Sequence, residues 1–100
     1  MRDRPPSPDK AENDGKAWFV YVLRCADDSL YTGVTTDVER RCAEHSAGNG
    51  ARYTRGRLPV QLMFTERHES RSSALRRELD IKSRPRAAKE AIIQRGAGGG

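Results

Sequence analysis

One hundred residues with a net charge of +5, 33% of them charged and only 35% apolar, make one small basic domain with a modest core. No apolar run approaches the ~20 residues that a membrane-spanning helix needs, and the first residues lack the apolar stretch of a secretory signal. Cys25 and Cys42 form no C-x-x-C pair and no Cys/His cluster, which argues against a zinc site or a disulfide framework and for reduced thiols in a cytoplasmic protein.

Residues 1–16 hold Pro5, Pro6, Pro8 and Gly15 and almost no apolar side chain, so they are predicted to be a disordered arm. Four bases and four acids cancel within the arm, so the positive excess lies in the domain, predicted over residues 17–95. The Gly-rich residues 96–100 read as a flexible tail. A basic domain favours polyanionic partners, nucleic acid first among them; the plainer use of such charge is a soluble surface.

Trp18 to Cys25 is a nearly continuous run of aromatic and β-branched residues and reads as a central strand, with Leu30 to Thr35 as a second. The loop between them decides which faces the two tyrosines take, because side chains alternate with period two. A two-residue turn at Asp27-Asp28 would put Tyr21 and Tyr31 on opposite faces. A three-residue loop, Ala26 to Asp28, pairs Tyr21 with Gly33 and puts both phenols on one face. Such a loop needs a left-handed last residue, which Asp28 tolerates, and this is the expected geometry.

Thr36-Asp37-Val38-Glu39 reads as a capping box opening a helix that ends near Gly48. Val38 and Cys42 face the core, while Arg41 and His45, also four apart, lie on an adjacent polar stripe. Residues 46–59 are predicted to be a long basic loop, and loops of that length are often functional. Val60 to Thr65 reads as a third strand. Ser70 or Ser72 caps a second long helix with Leu75 and Leu79 on its buried face and Glu78 and Lys82 on another. Ser83-Arg84-Pro85 is a break, and Ala88, Ala91 and Ile92 line the last helix. The order β-β-α-β-α-α predicts an α+β fold, a three-stranded antiparallel sheet flanked by helices.

Tyr21, Tyr31, Arg41, His45 and Glu78 together are a workable set for metal-assisted phosphodiester hydrolysis. Each also has an ordinary use: tyrosines pack in strands, and Arg41, His45 and Glu78 can be solvated helix residues, Glu78 paired with Lys82.

The chain resembles the GIY-YIG nuclease superfamily, in its small stand-alone bacterial branch. Phe19-Val20-Tyr21 stands at the first signature tripeptide and Tyr31-Thr32-Gly33 at the second. Ala51-Arg52-Tyr53-Thr54-Arg55-Gly56-Arg57 adds a third matching stretch, and the resemblance runs from about Trp18 to Gln94. Two departures stand out. Phe19 replaces a glycine, and the last helix has Glu90 and Ile93 where many members carry an asparagine.

The resemblance implies an endonuclease acting on nucleic acid, DNA in preference to RNA and selective for structure, with Tyr21, Tyr31, Arg41, His45 and Glu78 as catalytic residues. Glu78 is the implied sole protein ligand of Mg²⁺ or Mn²⁺, which suits a cation that keeps its waters. Tyr21 is the expected general base, with His45 taking the proton onward. Tyr31 hydrogen-bonds the phosphate or the water, and the Arg41 fork holds the phosphate. Gly33, Arg52, Tyr53, Thr54, Arg55, Arg57 and Lys82 are the expected nucleic-acid-binding residues, Gly33 by letting a phosphate approach the sheet and Tyr53 by stacking a base. A catalytically weak binding module on the same fold is the alternative, and a protein-interaction adaptor a third.

Overall fold

The computed structural model describes residues 16–99. Its elements are β1 Trp18–Arg24, β2 Leu30–Thr35, α1 Val38–Ser46, α2 Arg52–Arg55, β3 Gln61–His68, α3 Arg71–Lys82 and α4 Arg86–Gly99. The three strands form one antiparallel sheet in the order β2-β1-β3. This is the architecture the sequence predicts, with one extra helical turn, α2, inside the expected loop. The predicted arm lies outside the described residues except for Lys16.

β1 takes the centre because it is apolar on both faces, with Val20, Tyr21, Val22 and Leu23 all buried. Val20 and Val22 face α3 and α4 and form the main core with Ala74, Ile81, Ile92 and Ile93. Tyr21 and Leu23 face the other way. The hairpin closes through the three-residue loop: Cys25 N donates to Ser29 O at 2.9 Å, and Asp28 takes a φ of 71°. Tyr21 therefore pairs with Gly33 and Leu23 with Tyr31, and both phenols share a face.

Several local expectations shift. Asp37, not Thr36, caps α1, its Oδ1 accepting from Arg40 N at 3.0 Å. A carboxylate at a helix N-terminus gains from the dipole as well as the hydrogen bond, so the start moves by one residue. Ser70 caps α3, and β3 runs to His68.

The inward face of α3 is not the one Leu75 and Leu79 mark. Ala74 and Ile81 are buried, and Leu79 is 64% exposed. Residues 74, 78 and 81 share one stripe of a 3.6-residue helix, which leaves Leu79 outward and turns Glu78 inward. In α4, Ile92 and Ile93 enter the core and Ala91 faces solvent. This helix continues through Gly96 to Gly99, where a loose tail is predicted. Gly96 lies against Phe64, whose ring a Cβ there would approach to 2.6 Å, so β3 supports the extra turn.

Candidate active site

The site begins with Tyr21 at the centre of the sheet. A Cβ on its cross-strand partner Gly33 would fall 2.6 Å from the Tyr21 hydroxyl oxygen. Gly33 is thus the slot that lets the phenol lie across β2. The Tyr21 ring fills the space that a side chain at residue 33 would take.

α1 brings His45 to the end of the slot. Its Nε2 lies 2.9 Å from the Tyr21 hydroxyl. His45 is 0% exposed, so it belongs to the interior and not to a polar surface stripe with Arg41. Gly50 packs so closely on the imidazole that any side chain there would collide with the ring.

The other ring nitrogen is held by Thr54, 2.8 Å away, whose hydroxyl donates to the Ala51 carbonyl at 2.9 Å. With its proton spent on that carbonyl, Thr54 Oγ1 accepts from Nδ1–H, leaving Nε2 to accept from the Tyr21 hydroxyl. The Ala51 N–H reaches the same nitrogen at 3.4 Å, the longest of the contacts at the ring. Thr54 is 0% exposed and holds His45 from the interior.

Burial sets the protonation of this pair. It pushes the Tyr21 phenol well above its ordinary value, helped by Tyr31; Arg41 pulls the other way and loses. Burial also lowers the His45 imidazole, the Arg41 charge adds to that, and Glu44 opposes it. The resting pair is a neutral phenol on a neutral imidazole.

Tyr31 completes a triangle, with its ring centroid 6.3 Å from Tyr21 and 5.3 Å from His45. Arg41, near enough to Tyr21 to act on its phenol, is partly exposed and donates from Nη1 to Glu44 Oε1 at 2.8 Å. Glu44 also takes Arg40 at 2.8 Å. Glu44 orients Arg41, and its one mark in the sequence is the i,i+3 spacing between them.

Glu78 lies on the inward stripe of α3. Its side chain is only 14% exposed, and Oε2 pairs with Lys82 Nζ at 3.1 Å. Lys82 lines a cleft of about 290 Å³ with Leu30, Tyr31, Thr32, Tyr53 and Lys89. Leu30 and Thr32 lie on one face of β2 and Tyr31 on the other, so the cleft wraps around the free edge of that strand. Among the described residues, no hydrogen bond or ion pair joins Glu78 to Tyr21, Tyr31, Arg41 or His45, and no three His, Cys, Asp or Glu residues cluster as metal ligands.

The basic segment divides. Arg52 and Arg55 are exposed on α2. The Arg57 guanidinium lies 4.0 Å from the Tyr53 ring centroid, while its Nε donates to Asp27 at 3.0 Å. Tyr53 in turn stacks on Tyr31, with centroids 5.9 Å apart. At the position of the missing asparagine, Glu90 is held by Arg24 and Arg86 at 3.0 and 2.8 Å, and Ile93 is in the core. Lys89, from the same turn of α4, is the residue that enters the cleft.

Residues 17–91 match the family model described as the GIY-YIG catalytic domain. A UPF0213 protein of Natronomonas pharaonis is 63% identical over 75 residues, covering 75% of this chain and 88% of the relative. The solution NMR structure of a UPF0213 protein from Bacillus halodurans aligns with a TM-score of 0.52 at 45% identity, over 78% of this chain and 83% of that one. A second NMR structure, of a protein from E. faecalis, aligns at 0.56 and 43% identity, over 79% and 84%.

Proposed function

The chain belongs to the GIY-YIG family, and from that premise we propose that it is an endonuclease hydrolysing nucleic-acid phosphodiester bonds, DNA in preference to RNA and selective for structure. The observation that carries this reading is the buried Tyr21–His45 hydrogen bond, flanked by Tyr31 and Arg41. A phenol tied to an unprotonated imidazole nitrogen is a proton path from a water to the interior.

Tyr21 takes the proton of the attacking water while its own proton passes along the 2.9 Å hydrogen bond to His45 Nε2. Burial keeps the pair neutral at rest. A bound phosphate brings negative charge that favours the imidazolium, so the transfer is coupled to substrate. Arg41 holds the phosphate with its planar fork, backed by Glu44.

The donor set suits one hydrated Mg²⁺ or Mn²⁺: a single, largely buried carboxylate, Glu78, with waters and phosphate oxygens for the remaining positions. When bound, such an ion neutralises charge on the scissile phosphate and leaving oxygen. Lys82, half exposed, is free to leave Glu78 for a phosphate.

That same ion pair favours the second reading, a binding module of weak activity, because an ammonium on Glu78 competes with a metal. End-labelled single-stranded, duplex and branched DNA and RNA, incubated with Mg²⁺ or Mn²⁺, separate the two. Cleavage by the wild type, lost in Glu78→Ala while affinity stays within about threefold (under ~1 kcal/mol), supports the endonuclease. Binding without cleavage on every substrate supports the module.

A further inference from the structure

We infer that the cleft at the β2 edge receives one unpaired nucleotide, its base against the Tyr31/Tyr53 surface and its phosphate between Lys82 and Lys89. This rests on the nucleic-acid reading above and names the part of the substrate which that reading leaves open.

Three features carry it. The first is size: about 290 Å³ lies just below the ~300–1,000 Å³ range of small-ligand clefts, which matches one base.

The second is the aromatic surface. Tyr31 and Tyr53 stack with their planes 25° apart, and Tyr53 is 38% exposed. The Arg57 guanidinium covers one face of the Tyr53 ring, 4.0 Å from its centroid, and donates to the Tyr53 carbonyl at 2.7 Å, so a base on that side stacks on the guanidinium plane. A phenol already held in position loses little freedom when a base stacks on it. Bases inside a duplex have their faces covered by their neighbours, so only an unpaired base offers a π-face to this surface.

The third is charge. Lys82 and Lys89 come from separate helices to the same cleft. Among the described residues Lys89 has no carboxylate partner, and Lys82 has only Glu78. Leu30 and the two rings offer shape and stacking. Tyr31 links it to the chemistry: it touches Tyr53 on the cleft side and His45 on the catalytic side. A base seated on Tyr31 delivers the adjoining phosphate toward Tyr21 and Arg41.

The test measures binding by fluorescence anisotropy in EDTA, where no cleavage occurs. The probes are a short labelled single strand, the same strand with one abasic position, and its duplex. Tyr53→Ala should weaken single-strand binding by about tenfold, the scale of one lost base stack. Tyr53→Phe should restore it, and duplex binding should change far less. Lys89→Gln should lower the salt slope for the single strand by about 0.7, one phosphate contact. A 2-aminopurine in the strand should be quenched by the wild type and not by Tyr53→Ala.

Equal loss on single strand and duplex, or unchanged single-strand affinity, overturns the proposal. If Tyr53→Ala does not fold, the wild type decides, because equal affinity for the intact and abasic strands also overturns it. Adding Mg²⁺ to the same wild-type samples separates the two readings. Base-dependent binding without cleavage removes the endonuclease and keeps the cleft; cleavage without base-dependent binding does the reverse.

Discussion

The Tyr21 hydroxyl lies 2.9 Å from His45 Nε2, across 24 residues of chain, with Tyr21 1% and His45 0% exposed. Thr54 stands behind this bond, and its loss should be felt through it. Thr54→Val keeps the shape and removes the acceptor for Nδ1–H. We expect a loss of about 1–3 kcal/mol in urea unfolding, the cost of a buried donor left unpaired. Cleavage should fall as well, since the imidazole loses its fixed tautomer. Full activity with unchanged stability would remove Thr54 from the site.

The pair also predicts how stability depends on pH. His45 is lowered by burial, so the unfolded chain binds its proton more readily. Stability from this group is complete above the unfolded value near ~6.5 and falls as pH drops below it. Tyr21 is raised by burial, so its contribution is complete below the unfolded value near ~10 and is lost as pH rises above it. Urea midpoints across the pH range should fall at both ends. His45→Gln should flatten the acid limb, and Tyr21→Phe the alkaline one.

Gly33→Ala should be disproportionately harmful for one added methyl. The new Cβ would meet the Tyr21 phenol at 2.6 Å with the sheet backbone behind it. We expect about 1–3 kcal/mol of destabilisation from overpacking. A Gly33→Ala/Tyr21→Ala double variant, compared with Tyr21→Ala alone, should show little further cost. An undiminished cost in the double variant would place the strain elsewhere.

Leu79 and Ile81 should respond in opposite ways to their similar hydrophobicity. Leu79→Lys, at an outward position, should leave stability within about 0.5 kcal/mol. Ile81→Ala, in the core, should cost about 2–5 kcal/mol. Comparable losses at both positions would mean that α3 docks by a different face.

The sequence by itself determined what depends on near neighbours along the chain. A nearly continuous run of aromatic and β-branched residues marked β1, and the tolerance of Asp28 for a left-handed backbone set the loop length that puts Tyr21 and Tyr31 on one face. These outcomes follow from covalent geometry over a few residues, so they were legible before any packing was known. Only the tertiary structure decided what each polar residue does. His45 and Thr54 carry no mark of burial in their helices; they are closed off because β1, α1 and α2 meet around them. Gly33 serves a phenol twelve residues away, and Glu78 turns inward because Ala74 and Ile81 dock α3 on that stripe. Lys89 enters the cleft only because Ile92, Ile93 and the Arg24–Glu90 pair set the rotation of α4. Burial and its effect on proton affinity come from contacts between distant segments, and no local pattern encodes them.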